Sequence, residues 1–151
     1  KRPPPRPARG AAAAVPDGRR DFLGTGWRFP LSVNPSGGLS WSSGERDVAE
    51  SIWIVLSTAP GERVMEPEFG CGAHQLVFDN DTAATRAEIA HHVTTALVRL
   101  EPRIDVLDVR VDDAGASDID ALLVSVDYRI RANNALHNLV YPLYVTEGMA
   151  T

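Results

Sequence analysis

The residues of this chain that could do chemistry are few and loosely placed. Glu66 and Glu68 stand two apart in the stretch Glu62-Arg63-Val64-Met65-Glu66-Pro67-Glu68-Phe69-Gly70-Cys71-Gly72 and are the candidate carboxylate pair for glycoside hydrolysis. Cys71 lies between two glycines with no lysine or arginine within five residues, so nothing local favours a thiolate, and plain packing is the expected role. His91 and His92 are adjacent, hence about 100° apart on a helix, and cannot share a metal as an i, i+4 pair would. Gly24-Thr25-Gly26 lacks the rest of either nucleotide-binding fingerprint. No Ser-His-Asp arrangement stands out. The expectation is a protein with no catalytic residues, no cofactor and no metal.

A different constellation marks a corner. In Glu101-Pro102-Arg103, Pro102 disfavours the α region at Glu101, so the helix before it should stop there. Residues two apart in extended chain point the same way, so Glu101 and Arg103 can project together. A cation suits a helix C-terminus, whereas Glu101 has the wrong sign for it. Two readings follow. One is a solvated pair beside a helix-stopping proline; the other is a rigid charged knuckle that docks into a partner. Both place Arg103 at the surface, where a substitution costs within about 0.5 kcal/mol.

The corner joins the longest helical pattern to a run of strands. Ile89, Val93, Ala96, Leu97 and Leu100 recur at three- and four-residue steps, and Asp79-Asn80-Asp81-Thr82 offers capping side chains before them. After the corner the apolar phase slips, from positions 104 and 106 to 107, 109 and 111, which predicts a β-bulge. A long strand is predicted over Ile119 to Arg131, with Asp127, Arg129 and Arg131 facing out. A last strand is predicted over Leu139 to Val145, where Pro142 cannot donate to a ladder and marks a sheet border. Upstream, Trp27, Phe29, Leu31 and Val33 alternate as in a strand with one apolar face, with Pro30 marking an edge or irregular position. Ser42 and Glu45 read as a capping box for a helix to Leu56 with Val48, Ile52 and Val55 inward and Trp53 at the edge of that face. Leu76 and Phe78 read as anchors for the irregular stretch between the helices. The order predicts one small α+β domain over residues 22–151, two main helices on a mostly antiparallel sheet.

Composition agrees with a globular chain: 151 residues, 44% hydrophobic and 23% charged. Residues 1–21 form a Pro- and Arg-rich extension that cannot bury enough apolar surface to fold alone. It reads either as a disordered-type tail or as an arm that orders on a neighbouring subunit. Residues 1–20 hold six basic side chains against Asp17, so the net charge of -5 leaves -10 on the rest. An acidic body is a poor nucleic-acid binder. One cysteine excludes an internal disulfide, and no apolar run approaches a membrane span.

Six short motifs, in order, resemble the baseplate-wedge proteins of contractile injection machines and contractile phage tails, the gene-twenty-five-product, lysozyme-like family. They are Gly26-Trp27-Arg28-Phe29-Pro30-Leu31, Glu50-Ser51-Ile52, Thr58-Ala59-Pro60-Gly61-Glu62-Arg63, Pro67-Glu68-Phe69-Gly70, Glu101-Pro102-Arg103-Ile104 and Asn138-Leu139-Val140-Tyr141-Pro142-Leu143-Tyr144. The resemblance implies a structural protein, assembled in the bacterial cytoplasm and present in several copies in a baseplate ring. It implies larger wedge proteins as partners at Glu101, Pro102 and Arg103, with sheath subunits, and tube or hub proteins, nearby. It also implies that the fold offers the first template for sheath growth. The closing strand, with Leu139, Val140, Tyr141, Leu143, Tyr144 and Val145, is the expected sheath-docking edge. The alternative is a lysozyme-type peptidoglycan hydrolase. The phage-lysozyme spacing of Glu followed nine residues later by Asp is absent, for example at Glu62/Cys71 and Glu66/Gln75.

Overall fold

The computed structural model describes residues 23–115 and 121–144, so the N-terminal extension, Ile119 and Val145 lie outside the described residues. The elements are β1 (Thr25–Trp27), β2 (Trp41–Ser43), α1 (Glu45–Ser57), α2 (Ala73–Leu76), α3 (Ala83–Leu100), β3 (Ile104–Asp113), β4 (Ala121–Ile130) and β5 (Leu136–Tyr144). The last three form an antiparallel meander in the order β3-β4-β5, and β1 pairs with β2 as a separate short ribbon. This is the predicted α+β arrangement.

Periodicity explains the core. Val48, Ile52, Val55 and Leu56 of α1 and Ile89, Val93, Ala96 and Leu97 of α3 are buried at helical spacing. They meet Leu122, Val124, Val126, Tyr128 and Ile130 of β4 and Tyr141 and Leu143 of β5 in one cluster. Cys71 is buried in it, as expected of a packing residue, and burial pushes its thiol pKa up. Trp53 packs edge-on against Tyr141 at 4.7 Å. Thr82 caps α3 by accepting from the Thr85 amide. The predicted bulge is present: the β3–β4 register shifts between Val106 and Asp108, and the extra residue, Leu107, is 54% exposed.

Three local expectations fail. The helix after Ser42 has no capping box: pairing of Gly26 with Ser42 draws Ser42 into β2, so α1 starts at Glu45 after Gly44, with no side-chain cap. The strand expected through Val33 stops at Trp27. Pro30 has no amide to donate, the Phe29 amide turns to Glu50 Oε2 at 3.0 Å, and only an isolated bridge joins Val33 to Leu39. The apolar side of that ribbon also faces outward, with Trp27, Leu31, Val33 and Trp41 all exposed. Finally, Leu76 sits in the unforeseen turn of helix α2 and packs on the core, but Phe78 is 60% exposed and anchors nothing.

Candidate functional site

The corner between α3 and β3 is a polar site held by both backbone and side-chain hydrogen bonds. Its backbone is tied in three directions: the Glu101 amide to the Leu97 carbonyl, the Ile104 amide to the Glu101 carbonyl, and the Arg131 amide to the Arg103 carbonyl. Pro102 occupies the second position of this turn, where its fixed φ suits the geometry.

Glu101 and Arg103 do project together, and they project inward. Arg103 Nε and Nη2 each donate to a Glu101 carboxylate oxygen at 2.7 Å, a bidentate pair. Nη1 donates to the Leu23 carbonyl at 2.7 Å and to Asp47 Oδ2 at 2.8 Å. A guanidinium has five N–H donors. The chain itself therefore uses four and leaves one on Nη2. Glu101 is 2% exposed and the Arg103 side chain 29%, while Pro102 is exposed. The reading of a solvated pair is corrected: the carboxylate is almost wholly buried. The expectation that Arg103 lies at the surface, where its substitution costs little stability, is corrected too, because its charge neutralises a buried one. Burial pushes the Glu101 carboxyl up; hydrogen bonds from Arg103 and Ser51 and the Arg103 charge outweigh that and hold it below the usual glutamate range. The paired Glu101 in turn holds the Arg103 guanidinium protonated more firmly than usual, aided by Asp47 and opposed by burial.

Sequence reasoning missed Asp47, Ser51 and the Leu23 carbonyl. Asp47 reads as one more acid in the first turn of α1. No local pattern marks it, since it meets Arg103 across 56 positions of chain.

The sheet edge is the second candidate. No strand among the described residues pairs with the outer side of β5. The direction of its backbone groups follows from its neighbours. The Ala114 amide donates to the Ala121 carbonyl, so Ala121 points towards β3; its β5 partner Tyr144 therefore points away from β4. The same parity turns Asn138 and Val140 outward and puts Pro142 at an outward position, where its missing amide costs no ladder bond. Leu139, Tyr141 and Leu143 point their backbone groups to β4. Tyr141 and Leu143 also bury their side chains, whereas Val140 and Tyr144 are exposed. Of the expected docking residues, Val140 and Tyr144 thus present free amides, and Leu139, Tyr141 and Leu143 fix the strand. On the outer sheet face the charges are internally matched: Arg129 and Arg131 bind Asp105, and Arg110 and Asn138 bind Asp127.

The carboxylates considered for hydrolysis lie elsewhere. Glu66 and Glu68 line a shallow groove beneath which Arg99 donates to the Glu68 carbonyl. Their side chains are 66% and 86% exposed, beside Arg63 and Arg99. Both carboxylates project into solvent and are not enclosed in a cleft. His91 and His92 take surface and boundary positions. Among the described residues no group of His, Cys, Asp and Glu could hold a metal ion, and no helix is long and apolar enough to cross a membrane.

Comparison with known proteins places this geometry. Residues 42–135 match the family described as baseplate wedge protein gp25. Baseplate wedge protein gp25 of Enterobacteria phage T4 is 36% identical over 73 residues, 48% of this chain; the chain spans about half of that relative, 55%. A crystal structure from Geobacter sulfurreducens, which carries a provisional tail-lysozyme designation, is 47% identical with a TM-score of 0.65 over 70% of this chain and 95% of that one. A chain of the anti-feeding prophage baseplate is 25% identical with a TM-score of 0.61, over 86% of this chain and 92% of its own. A chain of the type VI secretion baseplate complex shares the fold at 16% identity and a TM-score of 0.55, over 67% and 93%.

Proposed function

Because the chain belongs to the baseplate wedge protein gp25 family, we propose that its corner and its free sheet edge are two assembly surfaces, the first for larger wedge proteins and the second for sheath. The protein is a structural component of the baseplate of a contractile, phage tail-like machine. The observation that carries the finer reading is the outer edge of β5, where the amides of Asn138, Val140 and Tyr144 have no strand partner among the described residues. An incoming sheath strand satisfies those groups by β-augmentation, and their spacing fixes its direction and register. The corner acts differently. Its clamp satisfies four guanidinium donors internally, so the groups left for a wedge protein are the exposed Pro102 and the last N–H of Arg103. Assembly in the cytoplasm, several copies per ring and nearby tube or hub proteins complete this reading.

The test separates the two surfaces. Tyr144→Pro removes an outward amide without removing a β4–β5 bond, so sheath nucleation on purified baseplates should fail while wedge binding persists. Pro102→Asp keeps a turn-compatible residue and leaves the clamp intact. Its wedge affinity should fall at least about tenfold, the equivalent of 1.4 kcal/mol. Normal sheath growth from folded Tyr144→Pro baseplates would remove the edge assignment, and unchanged wedge binding by Pro102→Asp the corner.

The proposed role involves no turnover. A cell-wall digestion assay should release no sugar fragments, and robust release abolished by Glu66→Gln or Glu68→Gln would replace this reading with a hydrolase.

A further inference from the structure

The β1–β2 ribbon turns apolar side chains to solvent in a way no exposed strand needs. Trp27 and Trp41 are directly registered partners, 58% and 64% exposed, in an edge-to-face pair with ring centroids 6.5 Å apart. Val33 and Leu39, bridged to one another further along, are 68% and 39% exposed, and Leu31 between the two pairs is 63% exposed. Several large apolar side chains exposed on one short ribbon mark an interaction site.

The sequence supplies an occupant. Pro4 and Pro7 stand three apart, preceded by Lys1 and followed by Arg9, within Lys1-Arg2-Pro3-Pro4-Pro5-Arg6-Pro7-Ala8-Arg9. Polyproline II has three residues per turn and rises 3.1 Å per residue, so these two prolines would share an edge about 9 Å apart. Proline pairs at this spacing, flanked by cations, are what aromatic-lined grooves bind. Arginine adds a cation–π contact to an indole face.

We propose that the segment from Pro3 to Pro7 docks on the Trp27–Trp41 face of its own chain. The connection is long enough. Fifteen residues lie between Pro7 and Leu23, and a connection of that length can span roughly 19–23 Å on average. The ribbon begins two residues after Leu23, so its face lies within that reach. The tether gives an effective concentration of order millimolar, well above that of a second copy in dilute solution. The +5 charge of residues 1–20 is attracted to a body of opposite sign. Docking covers the ribbon until a partner competes for it.

The test uses the full chain. Its three tryptophans give three indole N–H signals, and Trp53, packed on Tyr141, is the internal reference. In Pro4→Ser/Pro7→Ser the Trp27 and Trp41 signals should move and the Trp53 signal should not. Trypsin should cut after Arg9 about tenfold faster in that variant, and equally so in Trp27→Ala, the factor expected when a millimolar effective concentration exceeds the dissociation constant tenfold. An unmoved Trp27–Trp41 pair, or cleavage at the wild-type rate in both variants, overturns the proposal. Indole shifts that grow with protein concentration assign the face to a second copy and overturn it as well.

Discussion

Arg103→Ala is expected to destabilise the isolated protein by about 3 kcal/mol, the lower end of the range for breaking a buried ion pair. The lower end applies because the Arg103 side chain keeps 29% exposure. The substitution leaves the Glu101 carboxylate, 2% exposed, without its bidentate partner, and frees Asp47 and the Leu23 carbonyl at the same stroke. At roughly 2–4 °C per kcal/mol for a chain of this size, the melting temperature should fall by about 10 °C. The pH dependence has a definite sign. The Glu101 carboxyl titrates below its ordinary value of 4.5 in the folded protein, so its contribution is fully present above that value and is lost as pH falls through the lowered one. Asp105 and Asp127, held down by hydrogen bonds from Arg129 and from Asn138, titrate in the same direction at the surface. Melts from pH 7 to pH 3 should therefore show an acid limb that is shallower in Glu101→Gln. A melting temperature for Arg103→Ala within 2 °C of wild type would show that the clamp stabilises nothing. It follows that Arg103→Ala is a poor probe of docking, since lost assembly would report lost stability; Pro102 is the cleaner position.

Gly70→Ala is expected to cost at least as much, about 3 kcal/mol or more, by a different mechanism. Gly70 has φ +122°, a region that L side chains rarely adopt. A β-carbon there would stand 2.4 Å from the Thr58 carbonyl oxygen and 3.0 and 3.1 Å from the carbonyl carbons of Thr58 and Ala59. All three are backbone atoms just past the C-terminus of α1, and they cannot rotate aside. The Thr58 carbonyl also accepts from the Cys71 amide at 2.9 Å, so retreat would break the bond that seats the 58–72 loop on the core. Gly61 is the control: its φ is +86° but its β-carbon would meet open space. Gly61→Ala should cost only about 1–2 kcal/mol, the conformational penalty alone. Denaturant midpoints read the difference. Equal midpoints for the two variants would mean the loop moves away from α1 without cost.

Both sites show where local chemistry stops being informative. The helix α3, the inward face of β4, the bulge near Leu107 and the border position of Pro142 were legible because each depends on neighbours within a few residues: a 3.6 or 2 period, a phase slip, a missing amide. The candidate edge was legible for the same reason, and so was the pairing of Glu101 with Arg103, although a turn and not extended chain brings the two together. The six motifs that carry the family resemblance were likewise read in order along the chain, with no need of contacts.

What the tertiary structure decided is direction. Whether Arg103 points to solvent or to the core depends on Asp47, 56 positions away, and on the Leu23 carbonyl, 80 positions away. Whether Ser42 caps a helix or joins a ribbon depends on Gly26 pairing with it. Alternation in Trp27 to Val33 marks an apolar side but not which way it faces. That is set by Pro30 and by the Glu50 carboxylate taking the Phe29 amide, which leave the ribbon's apolar face uncovered among the described residues. Propensity and period fix an element's type from a few neighbouring residues. Its orientation is fixed by which distant groups satisfy its charges and amides, and one sequence window does not contain them.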